Sequence, residues 1–135
     1  MGAKTTKLDE VIEKLPREMA ELVRSGRAQL VRDRDGWTVC ITGVGCFGVV
    51  RKLTLSDLTL KLLATLMHGC FTIKQLMVML GAEYKDIYRR LSYYRRRGVV
   101  KREVFCYTLN PEHPQYDVLV RFLKSLTERA GSLST

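Results

Sequence analysis

Apolar residues recur at two different periods along this chain, and each change of period marks a new element. Leu8, Val11, Ile12 and Leu15 have helical spacing, and Pro16 suits the first turn of a further helix carrying Met19, Leu22 and Val23. Gly26 is placed to end it. The period then shortens to two. "AQLV" and "WTVCIT" flank Asp33-Arg34-Asp35-Gly36, which predicts a β-hairpin with Gly36 at a left-handed position and Trp37, Val39 and Ile41 on one face.

Helical spacing returns at residue 53. Thr54 and Asp57 have capping-box spacing ahead of a stripe of Leu55, Leu58, Leu62 and Leu66, which Gly69 stops. Thr72 and Gln75 form a second capping box, opening a short helix with Leu76 and Leu80 that Gly81 closes. A third helix spans 83–97, with Ile87, Leu91 and Tyr94 inward, Tyr84 at the edge of that stripe, and Tyr88 read as a packing residue. After Gly98, "VVKREVFCYTL" predicts two short strands with a tight turn near Glu103. Pro114 suits the first turn of a closing helix with Tyr116, Leu119, Val120, Leu123 and Leu126 on one side. These elements divide the chain into 1–52, 53–110 and 111–135.

"GVGCFGVV" (43–50) matches two glycine-loop patterns that cradle phosphates. A dinucleotide loop needs a helix to follow, whereas β-branched Val49 and Val50 favour a strand. The lysine strand, catalytic loop and Asp-Phe-Gly motif of a kinase are absent from the sequence. The expectation is a glycine-rich bend or bulge between strands. Two isolated histidines, with no paired carboxylates and no nucleophile motif, give no reason to expect an enzyme or a cofactor.

Charge changes the picture more than composition does. The net charge is +9, and residues 51–100 alone hold 10 basic against 3 acidic groups. Such a concentrated field favours a polyanion, nucleic acid before a membrane surface. The run "YKDIYRRLSYYRRRGVVKRE" (84–103) supplies eight of the cations and interleaves four tyrosines. The start of the chain is amphipathic and acid-bearing, and the most apolar stretch is broken by Asp57, Lys61 and His68. A soluble cytoplasmic protein without a membrane span is therefore expected. Cys40, Cys46, Cys70 and Cys106 have no metal-ligand spacing and read as buried free thiols. Fourteen Arg against nine Lys, with one Asn and three Gln, hint at a thermophilic source.

The order helix, short helix, turn, helix, β-hairpin resembles a winged helix-turn-helix. "LGAEYKDIYRRLSYYRRRGVV" (80–100) is similar to that family's run from the turn through the recognition helix into the first wing strand. "IYRRLSYYRRRGVV" is most similar to the PadR-like and ArsR-like regulators. The resemblance covers about residues 53–110. It implies an α+β fold, with an N-terminal helix and hairpin and a C-terminal helix added to the winged unit.

It also implies a DNA-binding transcriptional regulator whose helix 83–97 enters the major groove of double-stranded DNA. On that helix Lys85, Arg89, Ser92 and Arg96 point away from Ile87, Leu91 and Tyr94, with Asp86 and Tyr93 flanking them. Tyr84, Lys85 and Arg89 would read bases, while Ser92, Tyr93 and Arg96 would touch phosphate. Lys74 and the wing residues Lys101 and Arg102 would clamp the backbone on either side. Arg95 and Arg97 suit the negative end of the helix dipole without any ligand. Two acids, Glu83 and Asp86, stand at the helix start where the family offers Ser or Thr. The alternative reading is a winged-helix protein-interaction module, marked by apolar surface exposed on the third helix or the wing. Dimerisation of such regulators, together with the surplus apolar surface of Val118 and Phe122 on helix 114–129, gives the expectation of a homodimer. The fold family would also set the strand after the first helix beside the second wing strand. That implies that Cys70 and Cys106 are neighbours and candidates for a disulfide.

Overall fold

Pro16 sets the direction of the first complete helix, α1 (Arg17–Arg24), and its fixed φ suits the position immediately before the first turn. This is a computed structural model describing residues 10–34, 36–49 and 57–134; Leu8, Asp35, Thr54 and Leu55 lie outside them. Met19, Ala20 and Leu22 of α1 are buried, as are Ile12 and Leu15 just before it. Gly26, at φ 81°, turns the chain, and the amides of Arg27 and Ala28 both donate to the Leu22 carbonyl.

A three-stranded antiparallel sheet follows, in the order β1 (Gln29–Asp33), β2 (Gly36–Ile41), β3 (Gly45–Val49). Asp33 pairs with Gly36 across the first turn, where Gly36 has φ 130°. Val39 and Ile41 are buried while Trp37 is half-buried, so the expected face exists with its aromatic end at the rim. Residues 43–49 of the glycine-rich segment supply the β2–β3 turn and all of β3, with a register irregularity between Thr38 and Cys40.

α2 (Leu58–Met67) buries Leu60, Leu62, Leu63 and Leu66. Its start corrects the sequence reading. Asp57 is the N-cap itself, its Oδ1 accepting from the amides of Thr59 at 2.9 Å and Leu60 at 3.3 Å. The second capping box is present: Gln75 N donates to Thr72 Oγ1, and Thr72 N donates to Gln75 Oε1. It opens α3 (Ile73–Leu80), and Gly81 closes that helix in the left-handed region at φ 61°. Two residues then lead to α4 (Tyr84–Arg96).

β4 (Val100–Arg102) and β5 (Tyr107–Leu109) form a hairpin, and Glu103 N donates to Cys106 O at its tip. Phe71 pairs with Tyr107 through two backbone hydrogen bonds, adding a one-residue third strand. The last helix is α5 (Tyr116–Ser134). The molecule is thus α+β, with two small antiparallel sheets.

Two expectations fail here. The four cysteines are not buried free thiols: Cys40 joins Cys46 and Cys70 joins Cys106, with Cα atoms 4.0 and 5.3 Å apart. Cys46 and Cys70 are exposed, the others half-buried. Cys40 and Cys46 are direct partners across β2 and β3, so the sheet register brings their sulfurs together. The surplus apolar surface of α5 is also not free. Val118, Leu119, Phe122, Leu123 and Leu126 are all buried within one chain. α1 packs along α5, Phe47 of β3 stacks on Phe122, and Arg121 bonds to Glu18. The apolar argument for a homodimer is therefore met inside the monomer. Buried residues of all three sequence segments join one core running from Ile12 to Leu126.

Candidate nucleic-acid interface

Glu83 provides no side-chain cap to α4, but its carbonyl accepts from the amides of Asp86 and Ile87. Asp86 in the first turn and Arg95 and Arg96 in the last complement the helix dipole at its two ends. Ile87, Leu91 and Tyr94 are buried and seat the helix against α3 and β4. Burial, and next the neighbouring Tyr93, push the Tyr94 hydroxyl up to about 12. That seating turns Lys85, Arg89, Ser92 and Arg96 away from the core.

Two of these side chains, Arg89 and Arg96, already have local partners. The Arg89 side chain is 74% exposed, and its Nη2 donates to Asp86 Oδ1 at 3.0 Å. An exposed pair of this kind is worth well under 1 kcal/mol, so Arg89 exchanges it readily for another acceptor. Arg96 Nε donates to the Ser92 carbonyl, and both line a shallow depression of about 370 Å³ with Arg95. Tyr93 lies under the Arg97 guanidinium at 4.5 Å and edge-on to Tyr94 at 4.9 Å. A methyl group on Gly45 would stand 3.9 Å from its hydroxyl, so the β2–β3 turn reaches this end of α4.

Lys74 is exposed on the first turn of α3. Lys101 pairs with Glu103 at 3.0 Å, and Arg102 lies 5.9 Å from the Tyr107 ring centroid. Among the α4 cations, Arg90, which the sequence does not single out, makes two structural side-chain hydrogen bonds. Its Nε donates to Thr59 Oγ1 and its Nη1 to the Asp86 carbonyl, tying α4 to α2.

Three further features escaped the sequence reading. Tyr88, expected to pack, is 49% exposed and stacks on Tyr84, itself 54% exposed. Their spacing of four residues was the available signal. The hairpin tip presents Val104 and Phe105 at 76% and 79% exposure, directly before Cys106. α3 leaves Val78 and Met79 exposed as well.

Among the described residues no group of three or more His, Cys, Asp or Glu is placed to hold a metal ion, and no helix is long and apolar enough to cross a membrane. The geometry offers a row of exposed cations and aromatic rings on one helix, which suits recognition of an anion. No protein-family model, curated protein or solved structure matches this chain.

Proposed function

We propose that the chain binds nucleic acid through α4, as a winged-helix transcriptional regulator that lays this helix in the DNA major groove. The observation supporting it is the line of Lys85, Arg89, Ser92 and Arg96, turned outward from a helix anchored by Ile87, Leu91 and Tyr94. Lys85 and Arg89 stand nearest the helix N-terminus, with Tyr84, and reach base edges. Arg89 offers a two-pronged donor matching guanine O6 and N7. Ser92, Tyr93 and Arg96 meet phosphate, and Lys74, Lys101 and Arg102 flank them from elements near α4. Val118, Leu119, Phe122, Leu123 and Leu126 of α5 are covered within the chain, so the reading is stated for one chain. Two disulfides in an intracellular DNA-binding protein fit a thermophilic cell, and the Arg-rich, Asn-poor composition points the same way.

Duplex binding across a salt series, for wild type and Arg89→Ala, tests this. A steep salt slope and a loss of about 1–3 kcal/mol on a preferred site are expected. Absence of binding at low salt would sink the reading.

A second reading has its own observation. Val104 and Phe105 at the hairpin tip, with Val78 and Met79 on α3, are the kind of exposed apolar surface that a protein-interaction module displays. Val104→Ser with Phe105→Ser separates the two. It leaves duplex affinity intact if α4 is the working face, and abolishes partner capture if the tip is.

A further inference from the structure

Tyr84 and Tyr88 stand one turn apart on a flank of α4, their ring centroids 5.6 Å apart and their planes within 10°. About half of each residue remains open to solvent, and neither belongs to the buried set that holds the helix down. At about 100° per residue, Arg95 falls on the same flank as the two rings, while Lys85 and Arg89 border the pair on the outward side. Parallel exposed rings with cations along one edge combine a stacking surface with phosphate contacts.

The orientation of the rings decides what they can recognise. A tyrosine hydroxyl can bond to a base edge, but a ring face needs another ring face. Inside a duplex each base face is covered by its neighbours. Only an unpaired, frayed or extruded base offers a free one.

We propose that the Tyr84–Tyr88 pair is a stacking site for an unpaired nucleobase, with Lys85, Arg89 and Arg95 holding the adjoining phosphates. The protein then prefers a duplex carrying a single-stranded end to a blunt one. This rests on α4 being the nucleic-acid face, and adds to it a class of ligand that helix insertion alone does not select.

The test uses a blunt duplex, the same duplex with thymidine tails, and the same duplex with abasic tails of equal phosphate number. Wild type binds thymidine tails about 5- to 150-fold more tightly than abasic ones, the range expected for one stacked base. Tyr88→Leu loses that preference and keeps its blunt-duplex affinity, whereas Tyr88→Phe retains both. The preference is a ratio between ligands on one sample, so partial unfolding of a variant cancels. Equal binding of thymidine and abasic tails by wild type overturns the inference, as does a preference surviving in Tyr88→Leu or lost in Tyr88→Phe. In each of those cases binding of the blunt duplex leaves the α4 reading standing. Binding of none of the three at low salt removes both.

Discussion

Phe47 of β3 lies against Phe122 of α5 with ring centroids 5.1 Å apart, joining the N-terminal sheet to the C-terminal helix. Phe122 has no exposed surface and Phe47 almost none. The contact ties the N-terminal sheet to the C-terminal helix, so its loss should loosen the whole molecule. Phe122→Ala is expected to destabilise by about 3–5 kcal/mol, the usual cost of removing a buried ring. Chemical denaturation followed by circular dichroism measures it. A loss below about 1 kcal/mol would show that the stack carries little of the core.

The two disulfides should differ in worth because they close loops of different length. Cys70–Cys106 spans 36 residues and Cys40–Cys46 only 6. Chain-entropy reasoning gives about 4 kcal/mol for the first and about 2 kcal/mol for the second. Paired Cys→Ser variants, unfolded by denaturant, should show that order. Equal losses would contradict it.

Asp86 has two opposed effects. It stabilises the positive end of α4 by about 0.3–1 kcal/mol, yet it occupies Arg89 and adds a negative charge beside the proposed interface. Asp86→Asn should therefore lower the melting temperature slightly while tightening duplex binding several-fold at low salt. Weaker binding would mean that Asp86 holds Arg89 in its productive position.

Tyr94 makes alkaline stability measurable. Its hydroxyl is raised from 10.0 to about 12, first by burial and then by Tyr93. A folded value above the unfolded one favours the folded state fully below pH about 10, and this contribution is lost as pH rises toward 12. The melting temperature of Tyr94→Phe should fall less steeply than that of wild type between about pH 10 and 12. Parallel slopes would place the alkaline loss elsewhere.

What the sequence made legible was local. The Thr72–Gln75 capping box, the left-handed Gly81 and the inward set Ile87, Leu91 and Tyr94 depend on neighbours within a turn or two, and all are present. Asp57 is the N-cap itself, a place that Thr54 suits equally well by residue type. Of the long-range partners, the Cys70–Cys106 pair followed from the family resemblance, and the others were not legible. Arg90 bonds to Thr59 across 31 positions and Arg121 to Glu18 across 103, with no periodicity linking either pair. Cys40 meets Cys46 only because the turn at Gly43 and Gly45 sets that register. Tyr88 lies next to the buried stripe in sequence, yet the helix turns it toward solvent.

The clasp between α5 and the N-terminal segment has a consequence for synthesis. Residues 10–49 emerge from the ribosome before residues 116–126, yet α1 and β3 find their covering surface only when those follow. Until then Met19, Leu22 and Phe47 lack the partners that bury them, and the nascent N-terminal third is a ready client for a chaperone. The helix carrying the basic face can dock on its own hairpin well before that closure. Translation therefore completes the proposed binding helix before it completes the fold's seal.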